Sequence, residues 1–352
     1  MTKSPMKTIY NDRHGAHAAT HEFFRGQLVP AFEVPARADH VRAAVQAANL
    51  GPLLAPFDHG LSPLERVHAP AYLRFVAGAW AEWQALGGQG DVFPAVWPVR
   101  SLRSNVVPQS FAARMGLYSM DSGTPLTSGT WVAAYWGAQA TLTGLDLQLA
   151  GEPAAYVLTR PPGHHAGADF FGGYCFVNNV AVAAQAALDA GRQRVAILDV
   201  DYHHGNGTQA IFYERADVLY ASVHGDPQTE FPFFLGHADE TGAGPGVGLN
   251  ANFPLPAGAS NEAWFAALDT ALDRVKAYAP DLLIVSLGVD TYGGDPISHF
   301  NLDRPEFTRL GRALAPLALP TLFVQEGGYA TEAIGLNVVA VLQGFEQAAS
   351  AL

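Results

Sequence analysis

The stretch VAILDVDYHHGNGT, Val195 to Thr208, opens as an unbroken apolar run and then turns abruptly polar at Asp199, Asp201, His203 and His204. An apolar run of strand length without alternation is what a strand buried on both faces of a parallel sheet requires. Because side chains alternate along a strand, Asp199, Asp201 and His203 are expected on one side and His204 on the other. A carboxylate and an imidazole two residues apart can then grip one divalent ion. Gly205 and Gly207 supply the turn that ends the strand.

Other segments end the same way. Ala155 to Thr159 leads into Arg160-Pro-Pro-Gly-His164-His165, Val218 to Ala221 into Ser222-Val-His224, Leu282 to Val289 into Asp290, and Leu322 to Val324 into Gln325-Glu-Gly-Gly-Tyr329. Open parallel sheets hold their ligands beyond the carboxyl ends of their strands, so these endings should converge on one crevice.

Composition bounds the answer further. The chain has 352 residues, 49% of them hydrophobic and 15% charged, which predicts one large, well-filled α/β core with no linker dividing the motifs. A net charge of -12 argues against a nucleic-acid binder, which would carry a basic stripe, and suits a cationic substrate. Cys175 is the only cysteine, which excludes an intramolecular disulfide and fits a reducing cytosol. Lys3 and Lys7 are not followed by an apolar core, and no run reaches about 18 apolar residues, so neither secretion nor membrane insertion is expected.

Along the chain, a short strand is expected at Lys7 to Asn11. His14, His17, His21 and Glu22 follow at spacings that match no tight metal site, and read as a surface loop in which Glu22 is a candidate anchor for a substrate ammonium group. Helices are predicted at Asp39 to Ala48, Pro70 to Ala85, Thr130 to Leu149, Val180 to Ala190, Ser260 to Ala277, Arg304 to Leu314 and Ala330 to Ala349. Gly87 to Ser128, rich in Gly, Pro and isolated aromatics, is expected to be a long loop serving function or an interface. Within it Arg100, Arg103, Arg114 and Asp121 read as surface or subunit contacts.

The strand ends carry the chemistry. Asp201, His203 and Asp290 make a three-ligand set of the kind that leaves a fourth metal position open. Such a site polarises a carbonyl and acidifies bound water. Adjacent histidines can take up the proton and return it to a leaving amine. Tyr329 can donate its hydroxyl to an oxyanion. Asp199 can orient one histidine and Asn206 the other. The reaction expected is hydrolysis of an unactivated amide. Zinc is the first expectation, although this donor set would also accept iron or cobalt.

At this point the residues resemble a family, the zinc deacetylases of the arginase-deacetylase fold, in particular the acetylpolyamine amidohydrolases. RPPGHHA at Arg160 to Ala166, GGYCFVNN at Gly172 to Asn179, DVDYHHGNGTQ at Asp199 to Gln209, LGVD at Leu287 to Asp290 and EGGY at Glu326 to Tyr329 carry the resemblance. It implies a single-domain, three-layer α/β fold around a parallel sheet spanning 1–352, with an insertion at about 87–128 at the active-site mouth or a homodimer interface. It implies one Zn²⁺ per chain on Asp201, His203 and Asp290, and Tyr329 as the transition-state tyrosine. His165, paired with Asn206, is then the general base and acid, and His164, paired with Asp199, its electrostatic partner. Gly173 supplies a carbonyl for the substrate N–H, and Tyr174 and Phe231 wall the substrate tunnel. A structural K⁺ is implied beside Asp199, Asp201, His203 and Ser222.

The substrate expected from this resemblance is a small cationic acetylated polyamine or diamine, handled by a cytoplasmic homodimer without nucleic-acid or membrane partners. Glu22 and Asp121 are the acidic candidates for its distal ammonium. A histone or protein lysine deacetylase is the alternative, and a two-manganese ureohydrolase is disfavoured because Asn206 and Asp290-Thr-Tyr lack bridging carboxylates. A non-catalytic acetyl-amine-binding protein would have no need of His164, His165 and Tyr329.

Overall fold

The computed structural model describes residues 5–351. Its strands are β1 (Lys7–Tyr10), β2 (His21–Phe24), β3 (Gln27–Pro30), β4 (Leu53–Leu54), β5 (Ala154–Leu158), β6 (Val195–Asp199), β7 (Val218–Gly225), β8 (Asn250–Leu255), β9 (Leu282–Leu287) and β10 (Thr321–Gln325). The helices are α1 (Ala36–Ala47), α2 (Ser62–Glu65), α3 (Pro70–Ala85), α4 (Phe111–Leu117), α5 (Thr130–Leu149), α6 (Asn179–Asp189), α7 (Asn206–Phe212), α8 (Asn261–Tyr278), α9 (Arg304–Leu314) and α10 (Thr331–Ser350). Eight strands form one parallel sheet in the order β4-β1-β5-β10-β9-β6-β7-β8. Parallel pairing needs crossovers, and these carry the helices onto both faces.

The apolar runs explain the layering. Every residue of β6 is buried; Ala196 and Leu198 join a core with α1, α8, α9 and α10, while Val195 and Ile197 join another with α5, α6 and α7. Each large aliphatic side chain so buried contributes about 1.5–3 kcal/mol. A third apolar cluster lies outside the three layers, where α2, α3 and α4 cover the far side of α5 with Phe75, Phe111 and Tyr118.

Several elements differ from the sequence-based expectations. β6 ends at Asp199, so Asp201 and His203 stand in an irregular turn rather than on a strand face, and α7 begins directly at Asn206. The stretch 87–128 is not structureless, since it contains α4 and a bridge between Val92 and Leu126. The β2–β3 hairpin and the edge strand β8 were not foreseen; β8 reads NANFPL, and its Pro254 is tolerated only because an edge strand has one unpaired side. α1 starts three residues before Asp39, at Ala36 after Pro35.

His14 and His17 are buried rather than on a surface loop. His14 Nε2 meets Tyr10 Oη at 2.9 Å, and His17 Nδ1 meets Thr130 Oγ1 at 2.9 Å. His68 spans Gly167 O and the Asn178 N–H, tying α3 to the segment that follows β5. Burial pulls the pKa of each of the three down to about 4. Between about 6.5 and 4 the unfolded chain therefore binds protons that the folded chain refuses, and stability falls as the pH falls through that window. In an NMR titration His14, His17 and His68 are each expected to remain neutral down to pH 5; an imidazole of the three that is charged there would contradict the buried neutral state.

Candidate active site

The turns that follow β5, β6, β9 and β10 meet at the carboxyl edge of the sheet. β6 lies between β9 and β7, which brings Asp199 into register with Ser286 on one side and Ser222 on the other. The chain then swings over the sheet edge, and main-chain N–H groups fix its carboxylates. Asp201 Oδ1 accepts from His203 N at 2.9 Å, Asp201 Oδ2 from Gly327 N at 2.8 Å, and Asp290 Oδ1 from Tyr202 N at 2.8 Å. This leaves His203 Nδ1 facing Asp290 Oδ2 at 2.9 Å and Asp201 Oδ1 at 3.4 Å.

The donor atoms of Asp201, His203 and Asp290 all lie within 4.8 Å of one another, and all three residues are buried. Burial and the charge of Asp201 push Asp290 up to about 8, so the two carboxylates strain against each other when only an imidazole stands between them. Glycine holds this space open: a Cβ on Gly327 would lie 2.5 Å from Asp201 Oδ2 and 2.7 Å from Asp290 Oδ2. Two carboxylate oxygens and one imidazole nitrogen fit a divalent cation that takes O and N ligands.

His164 and His165 pack against each other with ring centroids 4.1 Å apart and planes tilted by 50°. Their partners separate them. His164 Nδ1 bonds Asp199 Oδ2 at 3.0 Å, and Asp199 also accepts from Tyr220 Oη at 3.0 Å. His165 Nδ1 bonds Asn206 Oδ1 at 2.7 Å, a neutral acceptor, so Nδ1 carries the proton and Nε2 is left bare. Burial depresses the pKa of His164, but Asp199 and Asp201 outweigh it and raise it to about 10. Burial, reinforced by His164 and His203, lowers His165 well below its ordinary value. Two adjacent imidazoles are thereby held as one cation and one neutral base.

His165, His203 and Tyr329 line a cavity of about 330 Å³, while His164 stands behind it. Phe231 sets its ring edge against His165 at 5.0 Å, and Tyr174 meets the Tyr329 ring at 5.4 Å. Gly173 lines the cavity at φ +54, and a Cβ there would fall 2.2 Å from His165 Cδ2, so only glycine admits the imidazole. Gly173, Tyr174 and Phe231 thus all line the one cavity.

Two acidic candidates part company. Glu22 does not reach the cavity: it is buried behind the wall, with Oε1 accepting from Tyr174 Oη at 2.6 Å and Oε2 from Phe32 N at 2.9 Å. The expectation of an ammonium anchor is corrected to a support for Tyr174, because both oxygens are already engaged. Asp121, expected as a surface or subunit contact, lines the cavity instead. Its Oδ2 accepts from Gly173 N at 2.5 Å and Thr124 Oγ1 at 3.2 Å, while its buried Oδ1 has no hydrogen-bond partner.

Residues that sequence reasoning missed hold these turns together. Glu33 takes Arg160 through Nε at 2.7 Å and Nη2 at 2.5 Å, and Arg37 through Nη1 at 2.7 Å. Arg37 also donates to Gly328 O at 2.5 Å and Glu326 O at 2.6 Å, with its guanidinium 4.6 Å from the Tyr329 ring centre. Glu326 Oε2 accepts from Gly163 N at 2.6 Å and His164 N at 3.2 Å, linking the tyrosine turn to the histidine turn. The only signal was the i,i+4 spacing of Glu33 and Arg37, which is common on exposed helices.

A parallel α/β sheet with a three-donor cluster, a histidine pair and a tyrosine at its carboxyl edge defines a metal-dependent hydrolase architecture. The histone deacetylase domain family matches residues 31–345, and the chain belongs to that family. It is 55% identical to acetylpolyamine amidohydrolase 1 of Pseudomonas aeruginosa over 98% of this chain and 100% of that protein. It is 47% identical to the acetylpolyamine amidohydrolase of Mycoplana ramosa over 96% of this chain and 99% of the relative. The crystal structure of the acetylpolyamine aminohydrolase from Burkholderia pseudomallei superposes with a TM-score of 0.92 at 41% identity, covering 97% of this chain and 99% of that one.

Glu33 is the common partner of two buried guanidinium groups, and breaking a buried pair leaves an uncompensated charge. Glu33→Gln is expected to destabilise the protein by about 3–5 kcal/mol, read from urea unfolding. A loss below about 1 kcal/mol, the worth of an exposed pair, would refute the role given to this carboxylate.

Proposed function

We propose that this chain is a zinc-dependent amidohydrolase that removes acetyl or similar short acyl groups from N-acetylated polyamines or diamines. The observation that carries the reading is that the Asp201, His203 and Asp290 cluster opens, through His203, onto an aromatic-walled cavity also lined by His165 and Tyr329. The substrate class is supported by the names of relatives matching over nearly the whole chain.

Asp201, His203 and Asp290 hold the divalent ion, one per chain, which when bound supplies a Lewis acid for the acyl carbonyl and for water. His165 Nε2 accepts the proton of the attacking water and returns it to the leaving amine, with Asn206 fixing its tautomer. His164, held charged by Asp199, stabilises negative charge arising beside it. Tyr329 donates its hydroxyl to the developing oxyanion, and burial keeps that phenol protonated by raising its pKa well above the ordinary value. Gly173 O receives the substrate amide N–H, while Tyr174 and Phe231 exclude water from the chain of the amine. A K⁺ beside Asp199, Asp201, His203 and Ser222 would stiffen the turn that carries two of the metal donors.

Asp121 is the acceptor for the distal ammonium. Its place in the cavity wall supports this, since a carboxylate so buried is costly until a cation meets it. A protein lysine tail is the second reading. The distinction is an amine that ends inside the cavity against one that continues out of it.

We place the protein in the cytoplasm as a homodimer formed through segment 87–128. Val96, Val99, Leu102, Val106 and Val107 are half or more exposed there, an apolar row that a partner copy would cover. Among the described residues no helix is long and apolar enough to cross a membrane.

A steady-state panel tests the reading. N-acetylated diamines and polyamines are expected to turn over with kcat/KM well above that of acetyl-lysine peptides; the reverse order would make the chain a protein deacetylase. Chelation is expected to abolish turnover, and one equivalent of Zn²⁺ per chain to restore it. His165→Ala should lower kcat by about 10²–10⁴-fold. Asp121→Asn should raise KM for acetylated diamines more than for uncharged acetylated alkylamines. The particle mass in solution is expected to be that of two chains, and Val99→Asp with Leu102→Asp to halve it.

A further inference from the structure

Tyr329 follows Gly327 and Gly328, the latter at φ +130, so the local backbone does little to fix it. Among the described residues no hydrogen bond is made by its hydroxyl, which lines the cavity. The phenol must therefore be aimed by what grips its main chain and ring. Arg37 holds the preceding carbonyl, and the following amides are held by one buried carboxylate. Asp295 Oδ2 accepts from Tyr329 N at 2.7 Å and from Ala330 N at 3.1 Å.

The same carboxylate also holds its own turn. Its Oδ1 accepts from Ile297 N at 3.1 Å, and Ile297 lines the cavity with Tyr329. Asp295 is itself 8% exposed, and its N–H is fixed on Tyr292 O at 3.0 Å. Asp295 thus joins the turn after β9, which carries the metal donor Asp290, to the turn after β10, which carries the tyrosine.

We propose that Asp295 is a positioning residue that clamps the main chain of Tyr329 and so aims its hydroxyl at the reacting carbonyl. This rests on Tyr329 being the oxyanion donor proposed above. A carboxylate serves both sides at once because it has two acceptor oxygens; an asparagine has one, and its amide nitrogen would face a donor. A hydroxyl placed even 1 Å away from its target forfeits about 10²-fold in rate.

The test is a double-mutant cycle on full-length, Zn²⁺-loaded protein with an N-acetylated diamine. Asp295→Asn is expected to lower kcat by about 10- to 100-fold in the wild-type background, and by about 3-fold or less in the Tyr329→Phe background. Metal per chain and KM are expected to stay unchanged. A merely structural role would lower kcat by the same factor in both backgrounds, which would overturn the inference, as would loss of bound metal. Asp295→Ser is made alongside; if neither variant folds, Asp295 serves the fold and the inference fails. If Tyr329→Phe alone leaves kcat unaltered, the reading of Tyr329 fails and takes this one with it. An undiminished Asp295→Asn beside an impaired Tyr329→Phe removes only the role of Asp295.

Discussion

Two carboxylates buried beside a single imidazole are the constraint from which the rest of the site follows. Asp201 and Asp290 come from different strand ends, yet their oxygens approach His203 Nδ1 at 3.4 and 2.9 Å. Like charges in a low-dielectric interior repel, so the arrangement persists only where the backbone over-determines it. Here three main-chain N–H groups, from Tyr202, His203 and Gly327, hold the oxygens in place. A divalent cation among them turns the repulsion into attraction, which is why a set so costly alone is a sensible metal cradle.

The turns that bear these groups have no regular structure of their own and are fixed by a second buried network. Arg160 at the end of β5, Glu33 ahead of α1 and Arg37 within α1 form an ionic chain from the histidine turn to the tyrosine turn. Burial raises the pKa of Glu33, but the two guanidinium groups outweigh it and hold the carboxyl at about 2. It therefore stays charged through the physiological range. Arg37 spends its remaining donors on Glu326 O and Gly328 O, so the loop preceding Tyr329 is tied to α1 rather than left to its glycines. Neutral acceptors on a planar, five-donor fork give orientation as well as energy.

The histidine pair shows how partners assign roles to identical side chains. His164 and His165 are adjacent and in contact, but a buried carboxylate behind one and a carboxamide behind the other push their protonation apart. Only the neutral one faces the cavity. The aromatic walls and the carboxylate of Asp121 distinguish the cavity from a simple apolar slot.

Much of this was legible in the chain itself. Apolar runs such as Val195 to Leu198 specify buried strands because burial on both faces tolerates nothing polar, and the polar residues just beyond them had to gather at the sheet edge. Asp201, His203, Asp290, the histidine pair, Asn206 and Tyr329 all lie just beyond such runs, whereas Gly173, Tyr174 and Phe231 were expected only from the family resemblance. Where the reading failed, the deciding contact was distant in sequence. Glu22 lies behind Tyr174 rather than in the cavity, Asp121 is drawn inward by Gly173 N, and His14 and His17 are buried under α5 and its surroundings. The roles of Arg37, Glu33, Glu326 and Asp295 could not be read locally, since the partners that define them, main-chain groups or for Glu33 the Arg160 guanidinium, lie up to 291 residues away. Sequence determines which side chains can do chemistry; only the packed fold decides which of them face the cavity and which are spent holding the others still, because that choice is made by hydrogen bonds between turns with no periodicity to read.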